Sequence, residues 1–264
     1  MPKVILQTHD SGINAGHVEL HPMTTIQGVN GQFCLPEVGD PVVNAIRTGD
    51  YFEGNVVEFV KRHARPGTAV IDVGANFGQM TIEWSKAVGE TGEVHSIEAS
   101  DYVVYYLQKT MEVNDHCKNV TVYHNSCWET SGKKIRMLAN GGQYSGMGVL
   151  ADEGDPREGG AIWFESTTIA IDDLNSLLTK PVSVIKIDVQ GADLFALRGA
   201  RKTLLRDRPI VIFEYEEMYN TIHHITFKDY ENFLAEVDYV IEGSLDNNQH
   251  DFICKPKEME AKVE

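Results

Sequence analysis

The chain is 264 residues long, 42% of them hydrophobic, with a formal net charge of −16 and an isoelectric point near 5.0. This length predicts one large α/β domain, and the acidic balance argues against a nucleic-acid partner, because binding to phosphates needs a basic surface. No apolar stretch reaches the roughly 18 residues of a membrane span, and neither a signal peptide nor a C-x-x-C pair is apparent, so we expect a cytoplasmic protein with reduced thiols.

Residues 1–50 are rich in glycine, proline, asparagine and histidine and hold only short apolar pieces. They predict a small irregular N-terminal cap, or a short hairpin, without a core of its own. From residue 51 to residue 255 strand and helix patterns alternate, and the near-continuous apolar strands indicate a sheet that is covered on both faces. We therefore predict a doubly wound, mostly parallel sheet, followed by a charged tail at residues 256–264.

The predicted elements follow one another in a regular order along residues 51–255. Seven strands are predicted, at Ala69–Val73, Glu93–Glu98, Val120–His124, Val182–Asp188, Ile210–Glu214, Tyr239–Gly243 and Asp251–Lys255. Helices are predicted at Val56–Ala64, Met80–Val88, Tyr102–Asn114, Ala192–Leu205 and Phe227–Val237.

The first predicted strand runs directly into a glycine-rich turn with the pattern D-x-G-x-N-x-G, made by Asp72, Gly74, Asn76 and Gly78. A strand, such a turn and a helix N-terminus together form a site for a nucleotide-like ligand. An acidic residue stands where a pyrophosphate would bind, which disfavours a phosphate and favours a cationic ligand. S-adenosylmethionine (SAM), with its sulfonium and ammonium groups, fits this pattern.

The ends of the second and third strands supply further candidates for binding this ligand. Glu98, with Ala99 after it, closes the second strand and is placed to accept hydrogen bonds from ribose hydroxyls. The same position would suit the ribose of NAD, so a nicotinamide-dependent oxidoreductase is an alternative. After the third strand, Ser126 and Cys127 could contact an adenine edge, with Trp128 as an apolar wall.

The ends of the fourth and fifth strands hold the candidates for catalysis. Asp188 should face the methyl-donor pocket, as a general base or a metal ligand, and Glu214 ends the neighbouring strand. Two such carboxylates could bind Mg²⁺ or Mn²⁺, share a proton, or hydrogen-bond a diol without metal. His223 and His224 are alternative bases, and Glu216 is a candidate for contact with the acceptor.

The stretch from Asn140 to Gly160 is glycine-rich and acidic and predicts an irregular insertion. It could form a flexible lip over the acceptor site, with Tyr144 and Ser145 as contacts, or a plain surface loop.

Together these motifs resemble the FkbM family of SAM-dependent O-methyltransferases, over about four-fifths of the chain. The resemblance is carried by D-V-G-A-N-F-G at 72–78, T-T-I-A-I-D-D-L at 167–174, K-I-D-V-Q-G-A at 186–192, L-x-G-A at 197–200 and R-P-I-V-I-F-E at 208–214. The resemblance implies a class I, Rossmann-like methyltransferase sheet of seven strands, the seventh inserted antiparallel. This chain departs from the family at Gln190, where Glu is common, so acid–base work at that position is not carried over.

The resemblance implies methyl transfer from SAM to a hydroxyl of a sugar or glycan, for example a deoxyhexose such as rhamnose. A polyketide-like or other small natural product is an alternative acceptor. A non-catalytic SAM-binding module is a further alternative. The sequence leaves the acceptor, the base, the metal dependence and the oligomeric state open.

Overall fold

The computed structural model describes residues 3–5, 20–140, 144–150, 162–245 and 250–260. The strands are β1 Lys3–Ile5, β2 Met23–Gln27, β3 Gln32–Pro36, β4 Ala69–Val73, β5 Glu93–Glu98, β6 Val120–His124, β7 Ser126–Cys127, β8 Lys134–Asn140, β9 Tyr144–Leu150, β10 Ile162–Ile169, β11 Val182–Ile187, β12 Ile210–Glu214, β13 Tyr239–Ser244 and β14 Asp251–Pro256. The helices are α1 Pro41–Thr48, α2 Gly54–His63, α3 Gln79–Val88, α4 Asp101–Val113, α5 Asp193–Arg198, α6 Arg201–Asp207, α7 Glu217–Ile222, α8 Phe227–Glu236 and α9 Lys257–Glu260.

The central sheet has the strand order β1-β6-β5-β4-β11-β12-β14-β13. Its strands pair in parallel from β1 to β12, and β14 runs antiparallel to both β12 and β13. The seven strands predicted from the sequence all belong to it, each within one residue of its predicted end, so the doubly wound fold is confirmed. Lys3–Ile5 adds an eighth strand at the edge, where the sequence predicted irregular structure, because it pairs with the otherwise open edge of β6.

Each central strand alternates its side chains between two hydrophobic layers. In β4, Val70 packs into a cluster with Trp84 of α3, whereas Ile71 packs into a second cluster with Leu194 of α5. All five residues of β4 are buried. This two-sided burial explains why the strand sequences are almost continuously apolar. Among the described helices, none is long and apolar enough to span a bilayer.

The N-terminal segment packs on the same core as α3 and α4. The β2–β3 hairpin buries Phe33 and Leu35 completely in the first hydrophobic cluster. Asn114, at the end of α4, ties the hairpin down: its Oδ1 accepts from the Gln32 amide at 3.1 Å, and its Nδ2 donates to the Gln32 carbonyl at 2.7 Å. Polar anchoring and apolar burial therefore fix this hairpin to the main sheet.

Replacing Asn114 with alanine should lower the free energy of unfolding by about 2–3 kcal/mol, because it removes two partly buried hydrogen bonds to the Gln32 backbone and a buried one to the Thr110 carbonyl. Chemical denaturation measures this change. Asn232→Ala on the exposed face of α8 is the matched control and should stay within about 0.5 kcal/mol of the parent protein. Equal midpoints for the two variants would show that the hairpin is not anchored through Asn114.

A second, four-stranded sheet has the order β7-β10-β8-β9 and stands against the carboxyl edge of the central sheet. The sequence predicted irregular structure for Asn140–Gly160, and that prediction is wrong for Tyr144–Leu150, which pairs antiparallel with β8. Its glycine-rich sequence shows no strand periodicity, so the pairing depends on the neighbouring strand. Residues 141–143 and 151–161 lie outside the described residues.

The helix predicted at Ala192–Leu205 is in fact two helices, α5 and α6. A Cβ atom on Gly199 would lie 2.1 Å from the Trp128 carbonyl oxygen, so glycine allows the close approach at which the helix breaks. Asp172 then caps α6, accepting from the Lys202 and Thr203 amides at 2.8 Å each. The break was missed because the cap comes from a distant part of the chain.

Candidate active site

A pocket of about 270 Å³ lies at the carboxyl ends of the central strands, where ligands gather in open α/β sheets. The second sheet covers it with the apolar side chains of Ile135, Met137 and Phe164. Asp40, Phe52 and Glu53, which precede β4 in the chain, form another side of the pocket. The pocket is lined by six acidic residues: Asp40, Glu53, Glu98, Asp188, Glu214 and Glu216.

The glycine-rich turn after β4 forms part of the pocket floor. Gly74 and Asn76 line the pocket and have the positive φ angles of 78° and 51°. A Cβ atom on Gly74 would lie 2.0 Å from the Asp188 carbonyl oxygen, so this position requires glycine. Gly78 precedes α3 and packs against Leu107 and Met111 of α4 instead of lining the pocket.

Asp72 lies below the turn and is fully buried. Its Oδ2 accepts from the Thr81 hydroxyl at 2.6 Å, while Oδ1 has no hydrogen-bond partner among the described residues. Burial raises the pKa of Asp72, and the nearby Lys186 ammonium opposes that rise. The side chain borders a small side chamber of about 40 Å³ and does not line the main pocket, so a ligand would contact Asp72 only through this chamber.

Glu98 ends β5 at the wall of the pocket, with Ala99 beside it. Its Oε2 accepts from the Asn76 amide at 3.0 Å and its Oε1 accepts from the Ser100 amide at 2.9 Å. Burial raises the pKa of Glu98, and these backbone donors oppose the rise. The carboxylate is therefore fixed in place and can still accept further hydrogen bonds through its remaining lone pairs.

The three predicted residues after β6 all line the pocket. Ser126 is buried, and its hydroxyl has no hydrogen-bond partner in the described part of the chain. Burial raises the pKa of the Cys127 thiol, which makes it an apolar contact and not a nucleophile. Trp128 stacks on Phe195, with ring centroids 4.0 Å apart, so its plane is held by α5.

Lys186 is a buried cation. It begins the motif K-I-D-V-Q-G-A, but no role was assigned to it from the sequence. Its Nζ lies 3.0 Å from Asp188 Oδ2 and 3.2 Å from the Gly74 carbonyl oxygen, which links the turn to the fourth strand. Burial disfavours its charge, but the carboxylates of Asp188 and Asp72 outweigh that and hold the pKa of Lys186 above its usual value. A lysine inside the apolar strand V-S-V-I-K-I was a usable signal, because a buried charge requires a partner.

Asp188 and Glu214 face each other across the ends of β11 and β12, and Gln190 joins them. The Gln190 amide Nε2 lies 2.9 Å from Glu214 Oε2 and 3.3 Å from Asp188 Oδ1. Burial favours the neutral form of Asp188, but Lys186 outweighs it and lowers the pKa of Asp188. Burial and the charge of Asp188 raise the pKa of Glu214 well above its usual value. The two pKa values are therefore shifted in opposite directions, and Asp188 loses its proton more readily than Glu214.

A divalent metal was one of the alternatives considered for this pair, and the structure does not support it. Among the described residues, no group of three or more His, Cys, Asp or Glu could hold a metal ion. Lys186 and Gln190 already contact the oxygens of Asp188 and Glu214, and an ammonium 3.0 Å from a carboxylate oxygen opposes a second cation. We therefore do not assign these two residues as metal ligands.

The remaining predicted residues are distributed unevenly around the site. Glu216 lines the pocket, whereas His223 and His224 do not; His223 packs edge-on against Phe195, with ring centroids 6.1 Å apart, and His224 is exposed. The sequence did not indicate where these two adjacent histidines would lie. They follow the short helix α7, which places them away from the pocket. The backbone of Tyr144 and Ser145 lies in β9, and their side chains lie outside the part of the structure that is described.

Several lining residues were missed by the sequence analysis. Asp40 and Glu53 come from the loops before α1 and α2, and His250 precedes β14. None of them lies in a motif, so only the fold brings them to the pocket. Asp193, at the start of α5, is fully buried behind Glu214 and accepts from the Glu214 amide at 3.3 Å; burial raises its pKa well above the usual value.

The family model described as a methyltransferase FkbM domain matches residues 72–241. Among the solved structures that resemble the chain is an FkbM methyltransferase from Methylobacillus flagellatus KT, with a TM-score of 0.48 and 16% identity over 81% of this chain and 52% of that one. A SAM-dependent O-methyltransferase from Thermotoga maritima has a TM-score of 0.46 and 11% identity, over 88% of this chain and 85% of that one. Aeropyrum pernix fibrillarin with natively bound SAM has a TM-score of 0.44 and 13% identity, over 90% of this chain and 100% of that one. This chain thus spans about half the length of the first of these proteins. TM-scores below 0.5 at these identities do not establish a shared function. No curated protein matches the chain.

Proposed function

The chain belongs to the FkbM methyltransferase family, and we propose that it is a SAM-dependent O-methyltransferase that acts on a hydroxyl of a sugar or glycan. The observation that carries this proposal is Asp188, which lines a pocket of acidic and apolar groups and lies 3.0 Å from the Lys186 ammonium that lowers its pKa. A carboxylate in that position can take the proton of a hydroxyl.

The residues of the pocket fit SAM by their chemistry. The acidic lining favours a ligand with a sulfonium and an ammonium group, and His250 is the basic lining residue among those described. Glu98 offers oxygens to ribose hydroxyls, the unpartnered Ser126 hydroxyl is available to a base edge, and Trp128 supplies an apolar wall. When bound, SAM supplies an activated methyl group, so the chain's own task is to orient the acceptor and remove its proton.

The acceptor side of the pocket combines two kinds of surface. Asp188, Glu214 and Glu216 offer hydrogen-bonding oxygens on one side, and Met137 and Phe164 offer an apolar surface on the other. A sugar ring has hydroxyl edges and apolar C–H faces, which matches this combination. The carboxyl groups also disfavour acceptors that carry a phosphate or a carboxylate, because like charges repel in a desolvated site.

The cysteines support a reducing compartment such as the cytoplasm. Cys34, Cys117, Cys127 and Cys254 are all buried and unbridged. Unpaired thiols are typical of proteins that are kept in such a compartment.

The test is incubation of the full chain with SAM and a panel of neutral sugars, followed by mass spectrometry. We expect the acceptor to gain the mass of one CH₂ unit, and turnover to persist in the presence of a chelator. A small natural product that gains this mass while no sugar does would favour the alternative acceptor. Donor binding without any turnover would favour a non-catalytic module, and tight NADH binding without SAM binding would overturn the proposal.

A further inference from the structure

Gln190 lies between the two carboxyl groups of the proposed catalytic site. Its amide nitrogen reaches Glu214 Oε2 at 2.9 Å and Asp188 Oδ1 at 3.3 Å, while the opposite oxygen of Asp188, Oδ2, accepts from Lys186 at 3.0 Å. The amide oxygen of Gln190 is buried and has no partner among the described residues. With its NH₂ group facing the pair, the amide donates to both carboxyl groups, whereas a turned amide would place its oxygen against the carboxylate of Asp188.

The backbone at Gln190 is held in a conformation that a glutamine rarely adopts. Its φ is 52°, in the left-handed region, and the next residue, Gly191, has a φ of 92°. A Cβ atom on Gly191 would lie 2.8 Å from Tyr219 Cβ, so α7 packs tightly on this loop. Strain of this kind persists where the surrounding structure fixes it, and it is common at functional sites. Here it directs one amide group between two carboxyl groups.

The charges around Gln190 show what an amide contributes there. Glu214 is buried, the Asp188 side chain is 21% exposed, and the fully buried Asp193 lies behind Glu214. Lys186 supplies the balancing positive charge on the Asp188 side only. A glutamate at position 190 would add a further carboxyl group to this cluster, and like charges at such distances favour protonation of one of them.

We propose that Gln190 is a positioning residue whose amide holds the carboxyl groups of Asp188 and Glu214 at a fixed separation. The amide donates to both carboxyl groups and adds no charge of its own. Asp188 then stays ionised and faces the acceptor hydroxyl. This proposal rests on the proposed function, since it assigns the base of that reaction.

The decisive variant is Gln190→Glu, which introduces the residue that is common in the resembling family. We expect kcat at neutral pH to fall by more than tenfold, because the amide donor that positions the two carboxyl groups is lost, while KM for SAM changes by less than threefold. Separately, the added carboxyl group should move the acid limb of the kcat–pH profile up by about one to two pH units. Gln27→Glu, the same change at an exposed site in β2, is the control and should leave the profile in place. An unmoved acid limb in Gln190→Glu would overturn the proposal.

A second variant separates positioning from backbone strain. Gln190→Gly adopts the left-handed conformation freely, so the thermal midpoint should be maintained or raised while kcat still falls by more than tenfold. Full activity in this variant would mean that Gln190 serves only the backbone, and the proposal would be wrong.

Carboxyl ¹³C NMR gives a readout that needs no turnover. In the parent protein, the Asp188 and Glu214 signals should titrate far apart, and in Gln190→Glu the Asp188 signal should move to higher pH. Identical titration curves in both proteins would overturn the inference about Gln190. A parent protein that shows the expected titration but methylates no acceptor would instead overturn the proposed function.

Discussion

Asp188→Asn should lower methyl transfer by about 10²–10⁴-fold while the affinity for SAM changes only slightly. Asparagine fills the same space but cannot accept a proton, so the acceptor hydroxyl is no longer activated. Because Lys186 holds the pKa of Asp188 below its usual value, the base is ionised throughout the neutral range. Turnover by the parent protein should therefore not decline between about pH 7 and pH 5 through protonation of Asp188.

Loss of Asp188 also leaves the buried ammonium of Lys186 without its main counter-ion, which destabilises the fold. SAM binding, measured by calorimetry, confirms that the variant is folded. Glu214→Gln is the matched comparison: because burial and the charge of Asp188 raise the pKa of Glu214 and favour its neutral form, a neutral amide should reduce turnover by less than about tenfold. If Asp188→Asn turns over normally and His224→Gln loses turnover, the exposed His224 is the base and Asp188 is not.

Gly74→Ala should remove SAM binding and lower the free energy of unfolding by about 3 kcal/mol or more. The added Cβ atom would lie 2.0 Å from the Asp188 carbonyl oxygen, so the turn and the end of β11 must move apart. That movement also breaks the contact between the Gly74 carbonyl and Lys186. Differential scanning calorimetry and a SAM titration measure the two effects.

The control for Gly74→Ala is Gly49→Ala, at the end of α1. Gly49 has a similar φ of 80°, but a Cβ atom there meets no other atom within 4 Å. This variant should cost about 1 kcal/mol from the backbone conformation alone and leave SAM binding unchanged. If both variants lose the same stability and both bind SAM, the close approach of Gly74 to Asp188 is not what the turn requires.

The central sheet could be predicted from the sequence because its strands are short, apolar and bounded by turns. Ala69–Val73 is the clearest case, since every residue is buried and a glycine turn follows at once. The second sheet could not be predicted in this way. Tyr144–Leu150 contains two glycines and no alternation, and it becomes a strand only because β8 is there to pair with it.

The candidate site was predictable where a motif ends a strand. Glu98, Asp188 and Glu214 were chosen on that basis, and all three line the pocket. The interactions between side chains were not predictable, because Lys186 and Gln190 act on Asp188 through contacts that no spacing reveals. Their roles depend on the register of neighbouring strands and on the conformation of one loop.

Asp40, Phe52 and Glu53 form one wall of the pocket. The family match begins at residue 72, so this wall lies upstream of the matched region. Exchanging residues 40–53 between two family members would therefore test whether the wall takes part in the choice of ligand while the matched region stays unchanged.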